Sequence, residues 1–315
     1  MNDLKNKKLL IFGTGAVGGY YGGMLVKAGF DVTFTAHGKN YEALKQNGLM
    51  LIRENKKESL QVKVFEDTKD LGLFDYIFIC VKSMDTKETV KKIKTNLDSN
   101  TTVVSLQNGV ENEDIIGGVI GIEKVIGALV FVASKLTEPG IVYQFGYNGC
   151  LIGELNCKKT ERIIELQKIL LDAGIDCKIS EDIRADFWNK LVWNASFNPL
   201  SVLTLKTVDK ILEEDHELVK NIMTEVRDVA LAIGLKIRPD TVEFNLERSK
   251  RFTGFKTSML QDFERGKPIE LEEIVGVVIR KAKEKNISVP NIQKIYNQIK
   301  EKMNNPTASS GKLLI

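Results

Sequence analysis

The fold of this chain is decided at residues 8–18, which read Lys8-Leu9-Leu10-Ile11-Phe12-Gly13-Thr14-Gly15-Ala16-Val17-Gly18. A short apolar run that meets closely spaced glycines is typical of a β-strand that turns tightly into a helix. Gly13 permits the turn, Gly15 lets backbone amides approach a pyrophosphate, and Gly18 lets the helix lie close to the strand. The pattern predicts a dinucleotide-binding turn over Gly13 to Gly18. The alternative is a glycine-rich packing helix that binds no ligand.

Four further apolar runs alternate with longer amphipathic stretches, at Asp31–Thr35, Tyr76–Val81, Thr102–Leu106 and Val125–Val130. This alternation is typical of parallel strands joined by helices, and the continuous apolar runs suit strands that are covered on both faces. We expect an antiparallel hairpin next, because Ile141–Phe145 and Cys150–Ile152 flank the turn-rich residues 146–149. The expected fold class is therefore α/β, a Rossmann-like doubly wound parallel sheet.

The strand pattern stops near residue 180. Beyond it, apolar residues recur three and four positions apart, at Leu218, Ile222, Val226, Val229 and Ile233 and again at Ile274, Val277, Val278 and Ala282. This spacing predicts helices, the first of which ends before Gly234. We expect a dinucleotide-binding domain over residues 1–180, an all-helical substrate and catalytic domain over 181–304, and a flexible tail over 305–315.

Composition excludes several classes of protein. The chain has 315 residues, 43% of them apolar, which is enough for two separate cores. Its 45 Lys and Arg against 42 Asp and Glu give a net charge of only +3, spread along the chain, so we expect no nucleic-acid partner. Glycines from Gly13 onward interrupt the apolar run that a secretion signal needs. Beyond that glycine-rich segment, the sequence has no charge-free stretch of about 18 residues, the length needed to cross a bilayer. We expect a cytoplasmic protein with no membrane partner.

The four cysteines are Cys80, Cys150, Cys157 and Cys177, and the chain has only two histidines. This spacing and this shortage of histidine do not fit a common zinc site, so we expect no metal. The cysteines are interpreted as small, buried apolar residues in a reducing compartment.

The choice of cofactor should be decided at the end of the second strand. NAD enzymes usually place an acidic residue there to bind the ribose 2′-hydroxyl, yet the chain reads Thr35-Ala36-His37-Gly38-Lys39. A cation such as Lys39, helped by His37, could instead bind a 2′-phosphate. The sequence therefore favours NADP(H), while NAD(H) stays open. In the alternative interpretation both residues are ordinary exposed loop residues.

Reduction of a carbonyl group needs a proton donor as well as a hydride. Neither histidine is well placed, since His37 lies near the adenosine end of the cofactor and His216 lies in an acidic, surface-like stretch. Lys190, Asn194 and Asn198 recur every four residues among apolar neighbours, which places them on one helix face. Desolvation there would lower the pKa of Lys190 toward neutral pH and make it a better proton donor. A surface lysine with two incidental asparagines is the alternative.

A carboxylate could act with this lysine. Pro268 suits the first turn of a helix, so Glu270 would lie near the positive end of that helix and stay ionised. There it could pair with Lys190 or accept a hydrogen bond from a substrate hydroxyl. Alternatively, Glu270 only stabilises its helix.

The sequence resembles the ketopantoate reductase family, the 2-dehydropantoate 2-reductases of pantothenate synthesis. The motifs that carry the resemblance are, in order, the Gly13–Gly18 turn, Val81-Lys82-Ser83, Gln107-Asn108-Gly109, Lys190 with Asn194 and Asn198-Pro199, and Ser258-Met259-Leu260-Gln261-Asp262 with Glu270. The resemblance implies NADPH-dependent reduction of 2-dehydropantoate to D-pantoate. It implies Lys190 as proton donor, Glu270 as an active-site carboxylate, and Asn194, Asn198 and Ser258 as substrate contacts. It also implies Lys82 as a cofactor contact and Asn108 as a contact near the nicotinamide.

Two positions depart from the family pattern. His37 stands where many members have an arginine for the 2′-phosphate, and Val208 stands where some have a further asparagine for the substrate. One alternative is therefore a D-2-hydroxyacid dehydrogenase of the same architecture that acts on other branched or aromatic 2-keto acids, some with NADH. A second is a non-catalytic NADP(H)-binding regulator. The oligomeric state also stays open, although a helical second domain is compatible with a homodimer.

Overall fold

The computed structural model describes residues 4–304, and the chain divides between Ile183 and Arg184 into two compact units. The predicted domain boundary at residue 180 lies just before this division. The tail predicted over 305–315 lies outside the described residues.

Within the described residues, the first unit contains one ten-stranded sheet. Its strands are β1 (Lys8–Phe12), β2 (Asp31–Thr35), β3 (Leu49–Arg53), β4 (Lys56–Leu60), β5 (Lys63–Phe65), β6 (Tyr76–Ile79), β7 (Thr102–Ser105), β8 (Val125–Glu138), β9 (Ile141–Glu154) and β10 (Asp176–Ile179). They lie in the order β4-β3-β9-β8-β7-β6-β1-β2-β5, with β10 also beside β9. The β3–β4 and β8–β9 pairs are antiparallel, and the other described pairs are parallel.

Helices cover both faces of this sheet. They are α1 (Ala16–Lys27), α2 (Gly38–Asn47), α3 (Thr86–Ile93), α4 (Asn112–Ile120) and α5 (Glu161–Asp172). Because successive side chains of a strand point to opposite faces, Leu9 and Ile11 of β1 join a core with residues of α1 and α5, while Leu10 and Phe12 join a second core with residues of α3 and α4. The prediction of a doubly wound sheet is confirmed.

The strand predictions are confirmed where apolar runs are buried on both faces. The bounds of β1 and β2 match residue for residue, β6 and β7 end slightly earlier than predicted, and β8 continues to Glu138.

The hairpin predicted at residues 146–149 is wrong. Residues Ile141 to Glu154 form the single strand β9, and the chain turns before it, at Gly140, where φ is +74°. The pairing of β8 with β9 passes from Val132↔Asn148 to Ala133↔Phe145, so residues 146 and 147 are extra on β9. Gly146, with φ +74°, thus marks a β-bulge rather than a turn.

The sequence analysis missed β3, β4, β5 and β10. A two-residue turn joins β3 to β4, and its residues Glu54 and Asn55 have φ of 49° and 62°, as in the tight turns that fit the twist of a hairpin. The β4 strand lies at the edge of the sheet and carries Lys56, Lys57 and Glu58. Charged side chains protect such edges from pairing with other chains, but in the sequence they resemble a surface loop.

The described part of the second unit contains helices and no strand. The helices are α6 (Ile183–Thr204), which begins at the last residue of the first unit, α7 (Val208–Glu214), α8 (His216–Ala232), α9 (Thr241–Ser249), α10 (Ser258–Glu264), α11 (Val277–Lys285) and α12 (Pro290–Asn304). A π-helical turn, Glu272–Gly276, leads directly into α11. The prediction of an all-helical second domain is confirmed. No helix among residues 4–304 has the length and hydropathy that a bilayer crossing requires.

The interpretation of the cysteines is only partly correct. Cys150 and Cys177 are buried, but Cys80 is half-buried and Cys157 is exposed. Cys157 follows β9 in a turn, with φ +62°, where no core is available to cover it. All four are free thiols.

Gly22 lies where α1 packs on the sheet, and a Cβ at this position would lie 2.7 Å from Phe34 Cζ and 2.8 Å from Ile11 Cγ1. We expect Gly22→Ala to lower the free energy of unfolding by about 1–3 kcal/mol, because α1 or Phe34 must shift. Urea denaturation followed by circular dichroism measures the change. Gly118→Ala is the matched control, since this exposed glycine of α4 has nothing within 4 Å of its Cβ position. Equal stability of the two variants would contradict the close packing of α1.

Candidate functional site

The glycine turn between β1 and α1 is fixed to the end of β2. The backbone amide of Gly13 donates to Thr35 Oγ1 at 3.0 Å, and that of Thr14 donates to the Thr35 carbonyl oxygen at 3.0 Å. The hydroxyl of Thr14 donates to the same carbonyl oxygen at 2.8 Å. The turn is therefore held in one conformation by the neighbouring strand.

The three glycines of the turn differ in what surrounds them. Gly13 has φ +98°, and a Cβ on it would lie 2.8 Å from Val81 Cγ1. A Cβ on Gly18 would overlap the carbonyl oxygen of Gly13 and lie 2.9 Å from Cys80 Cβ. Both glycines are thus required by packing inside the protein. Nothing lies within 4 Å of the Cβ position of Gly15.

The space beside Gly15 lies at the N-terminus of α1, whose first residues are Ala16, Val17 and Gly18. The first backbone N–H groups of a helix have no acceptor within the helix, and the helix dipole adds partial positive charge there. An open space lined by backbone amides suits a pyrophosphate. These residues therefore fit the phosphates of a dinucleotide.

The candidate residues for the 2′-phosphate follow β2 directly. His37 is the residue before α2, Lys39 lies in its first turn, and both side chains are exposed. Asn40 ties this segment to the glycine turn, because its Nδ2 donates to the Thr14 carbonyl oxygen at 2.7 Å. His37 and Lys39 therefore lie at the same sheet edge as the glycine turn, and their role stays a prediction.

Hydrogen bonds join the loops that carry Lys82 and Asn108. Ser83 Oγ donates to the Asn108 carbonyl oxygen, and Asn112 Nδ2 donates to the same oxygen at 2.7 Å. The loops follow β6, which lies beside β1, and β7, which lies beside β6. All three strands are parallel, so both loops lie at the sheet edge of the glycine turn. The sequence analysis quoted the two motifs separately and missed Asn112, whose buried side chain connects them.

A second network supports the same two loops. Gln107 Nε2 donates to the Val81 carbonyl oxygen at 3.1 Å and to Thr86 Oγ1 at 2.7 Å, and Thr86 Oγ1 donates to Asn112 Oδ1 at 3.0 Å. Gln107, Thr86 and Asn112 are all buried. Buried polar groups that satisfy one another in this way hold the loops in a defined shape.

In the second unit, one face of α6 is attached to residues 241–257. Asn189 Oδ1 accepts from Thr241 Oγ1 at 3.2 Å, and Trp193 Nε1 donates to Ser249 Oγ at 2.9 Å. Farther along the same face, the hydroxyl groups of Ser201 and Thr257 lie 2.6 Å apart. These α6 residues are separated by multiples of four, so the bonds fix the rotation of the helix about its axis.

Aromatic rings pack on this attached face. The ring of Trp193 lies 5.0 Å from that of Phe197, 5.8 Å from that of Phe252 and 6.4 Å from that of Phe255, measured between centroids. Edge contacts of this kind add stability beyond their buried area. The aromatic cluster thus anchors α6 just beyond Lys190.

Lys190, Asn194 and Asn198 each follow a residue of the attached face by one position, about 100° around the helix. Asn194 is 8% exposed and Asn198 is 4% exposed. Among residues 4–304, no hydrogen bond joins either side-chain amide to another residue. Since buried amides are normally hydrogen-bonded, a polar ligand is the natural partner for both.

Lys190 itself is half-buried, but its ammonium group lies deep among protein atoms. Burial lowers the pKa of Lys190 from 10.5 to about 8, because desolvation disfavours the charged form. The carboxylate of Glu270 opposes this effect on the pKa, whereas the guanidinium of Arg248 adds to it. The expected desolvation of Lys190 is therefore present in the structure.

Glu270 is 7% exposed and lies at a helix N-terminus as expected, but the helix starts later than predicted. Pro268 is not in a helix: residues 267–270 are irregular, and the helix begins at Leu271. The carbonyl oxygen of Glu270 accepts from the Ile274 amide at 3.2 Å, so Glu270 lies at the helix N-terminus. Because proline is equally common in irregular segments before a helix, it does not fix where the helix starts.

Ser258 is the first residue of α10, and its side chain is exposed. The preceding residue, Thr257, caps α10 by accepting from the Leu260 amide at 3.1 Å. Because Thr257 also contacts Ser201 of α6, the start of α10 is fixed to the helix that carries Lys190.

His37 and His216 are exposed, and His216 Nδ1 lies 3.3 Å from Glu217 Oε1. Among the described residues, no three His, Cys, Asp or Glu side chains are placed to hold a metal ion.

One residue near Lys190 was missed by the sequence analysis. Arg248 of α9 acts on the pKa of Lys190, and no motif drew attention to it. The available signal was its spacing, since Phe244 and Phe252 stand four residues before and after it on the same side.

Comparisons with known proteins cover both units. Residues 9–156 match the family described as Ketopantoate reductase PanE/ApbA, and residues 182–303 match Ketopantoate reductase PanE/ApbA C terminal. The 2-dehydropantoate 2-reductase of Nostoc sp. is 30% identical over 94% of this chain and 95% of its own length.

Solved structures agree with these matches. The 2-dehydropantoate 2-reductase from Geobacter metallireducens GS-15 gives a TM-score of 0.89 at 32% identity, covering 93% of this chain and 99% of that one. A D-mandelate dehydrogenase with NADH and anilino(oxo)acetate gives a TM-score of 0.88 at 22% identity, covering 95% of this chain and 98% of that one. At that identity the second likeness shows a shared fold alone.

We expect Gly15→Ala to weaken dinucleotide binding without destabilising the protein. Gly15 has φ −85° and ψ −154°, an extended conformation open to alanine, and its Cβ position is surrounded by free space. The added methyl group would occupy the space that we assign to the pyrophosphate, so the Kd for NADPH should rise about tenfold or more, about 1.4 kcal/mol. Fluorescence titration measures the Kd, with Gly118→Ala as the control. An unchanged Kd would contradict the assignment of this space.

Proposed function

The chain belongs to the ketopantoate reductase family, and from this premise we propose that it catalyses the NADPH-dependent reduction of 2-dehydropantoate to D-pantoate in pantothenate and coenzyme A biosynthesis. The observation that carries the proposal is the Lys190 ammonium, with a pKa of about 8, on the same helix face as two buried side-chain amides that have no hydrogen-bond partner in the described part of the chain. This is the arrangement that a carbonyl substrate needs, with a proton donor and groups to orient it.

When bound, NADPH would supply the hydride that reduces the C2 carbonyl of the keto acid. Lys190 donates a proton to the carbonyl oxygen as negative charge develops there. At neutral pH most molecules carry the proton, because the pKa of Lys190 lies about one unit higher. Glu270 favours the protonated form, while Asn194, Asn198 and Ser258 bind the polar groups of the substrate.

The first unit binds the cofactor. The amides from Gly13 to Gly18 contact the pyrophosphate, and Lys39 with His37 binds the 2′-phosphate that distinguishes NADPH from NADH. Lys82 and Asn108 contact the cofactor from the two joined loops.

The partner is a small 2-keto acid rather than a nucleic acid or a membrane. A cytoplasmic location is supported by the four free thiols, which suit a reducing compartment. The homodimer stays a prediction.

Steady-state kinetics on a panel of keto acids tests the proposed function. We expect the highest kcat/KM for 2-dehydropantoate with NADPH, and lower values with NADH, 2-ketoisocaproate or phenylglyoxylate. A higher kcat/KM for phenylglyoxylate or 2-ketoisocaproate would replace the proposal with a D-2-hydroxyacid dehydrogenase. NADPH binding without turnover of any keto acid would identify a regulator.

The pKa of Lys190 predicts opposite pH dependences for the two directions of the reaction. Reduction needs the protonated amine, so kcat/KM should be level below pH 8 and fall above it. Oxidation of D-pantoate needs the neutral amine, so its kcat/KM should rise as the pH passes through about 8. Initial rates between pH 6 and 10 measure both profiles.

Lys190→Ala should lower kcat for reduction by about 10² or more and remove the change near pH 8. Lys190→Arg is the matched control, because it keeps the positive charge but its pKa is too high for proton donation. Retention of the wild-type profile in Lys190→Ala would exclude Lys190 as the proton donor.

A further inference from the structure

Arg248 has no carboxylate partner among residues 4–304. Its Nε is fully buried and has no hydrogen-bond partner among the described residues. Its guanidinium lies 5.8 Å from the ring centroid of Phe244 and 6.0 Å from that of Phe252. Burial lowers the pKa of Arg248, and no acidic group offsets the effect.

Two other arginines of this unit lie beside carboxylates, in contrast to Arg248. Arg227 pairs with Asp228 at 2.8 Å, and Arg238 pairs with Asp240 at 2.9 Å. Burying a charge is costly unless a partner compensates it, and each buried donor without an acceptor adds to that cost. Arg248 therefore does not serve the stability of the ligand-free protein.

The position of Arg248 is fixed relative to Lys190. The contact of Thr241 with Asn189 and the contact of Ser249 with Trp193 attach α9 to α6 on either side of Lys190. Arg248 immediately precedes Ser249, and its charge acts on the Lys190 ammonium. Two cations thus face a common region of the second unit, which favours an anion there.

A 2-keto acid has one fixed negative charge, a carboxylate bonded to the carbonyl carbon that is reduced. The planar guanidinium can donate two parallel hydrogen bonds to a carboxylate, which a lysine cannot do. The carboxylate of Glu270 also acts on Lys190 and would repel the substrate carboxylate. The charges therefore orient the substrate with its carboxylate toward Arg248 and its carbonyl oxygen toward Lys190.

We propose that Arg248 binds the carboxylate of the 2-keto acid and so selects acids over uncharged ketones. The inference rests on the proposed function. It adds a specificity-determining residue on α9 to the Lys190, Asn194 and Asn198 side chains of α6.

The test compares 2-dehydropantoate with its lactone. In the lactone the 4-hydroxyl group and the carboxyl group form an internal ester, so the negative charge is lost while the C2 carbonyl is retained. We expect Arg248→Met to lower kcat/KM for the acid by about 10- to 100-fold, the range expected for the loss of a charge-assisted pair, and mainly through KM. kcat/KM for the lactone should change by less than about twofold, and Arg248→Lys should restore part of the loss for the acid. Arg251→Met is the matched control, because Arg251 is exposed.

Two further measurements separate substrate binding from an indirect role. Removing the charge of Arg248 should move the alkaline fall in the rate of reduction to higher pH, because Arg248 lowers the pKa of Lys190. A shifted pH profile with an unchanged ratio of acid to lactone would overturn carboxylate binding. An unchanged Kd for NADPH would show that the variant is folded, and equal losses on acid and lactone would contradict the proposal.

Calorimetry tests the proposed anion site by binding alone, without turnover. D-pantoate titrated into the protein with NADP⁺ should bind about 10- to 100-fold more weakly to Arg248→Met than to wild type. Weakened binding without turnover would reject the proposed reaction but retain the anion site. Equal affinity of the two proteins for D-pantoate would overturn the anion site.

Discussion

The second unit depends on keeping one ammonium group out of water and still charged. Burial pushes the pKa of Lys190 down, and Glu270 pushes it back up, so that the group settles near 8. A lower pKa would leave the amine neutral and unable to donate, whereas a tight ion pair in water would leave a proton that is hard to give up. The hydrogen bonds and aromatic rings on the neighbouring face of α6 serve this balance, because a small displacement of Lys190 would change its solvation and its distance from Glu270.

What the sequence could predict was local. The glycines at 13 and 18 are required by contacts within one strand, turn and helix, so their spacing carries the information. Lys190, Asn194 and Asn198 share a face because they lie in one helix, and that follows from the helical repeat alone. Both features were noticeable because stability alone does not explain them. Glycine destabilises a helix, and a side-chain amide without a hydrogen bond destabilises an apolar core.

The sequence could not predict features that depend on contacts between residues far apart in the chain. Gly146 gives the same signal in a bulge as in a turn, and only the pairing of β9 with β8 decides between them. Pro268 was expected in the first turn of a helix, but the helix begins three residues later, at Leu271. Proline is equally suited to a first helical turn and to an irregular segment before a helix, so it does not fix the start. Arg248 was missed because it is distinguished by an absent contact: within residues 4–304 its buried Nε has no acceptor and no acidic group offsets its burial. The absence of a contact has no sequence pattern.

In the proposed reaction, the charges around Lys190 would couple substrate binding to proton transfer. With Arg248 uncompensated, the pKa of Lys190 is held down in the free protein. A carboxylate bound to Arg248 would cancel that influence and add negative charge nearby, so the pKa of Lys190 would rise on binding. Linkage requires the converse: the protein with protonated Lys190 binds the keto acid more tightly than the protein with neutral Lys190. The ratio of the two affinities equals the factor by which binding lowers the acid dissociation constant of Lys190. Once the proton has been transferred, Lys190 is neutral and the hydroxy acid loses that added affinity. The positive charge on Lys190 that would favour substrate binding is therefore absent when the product leaves, until solvent restores the proton.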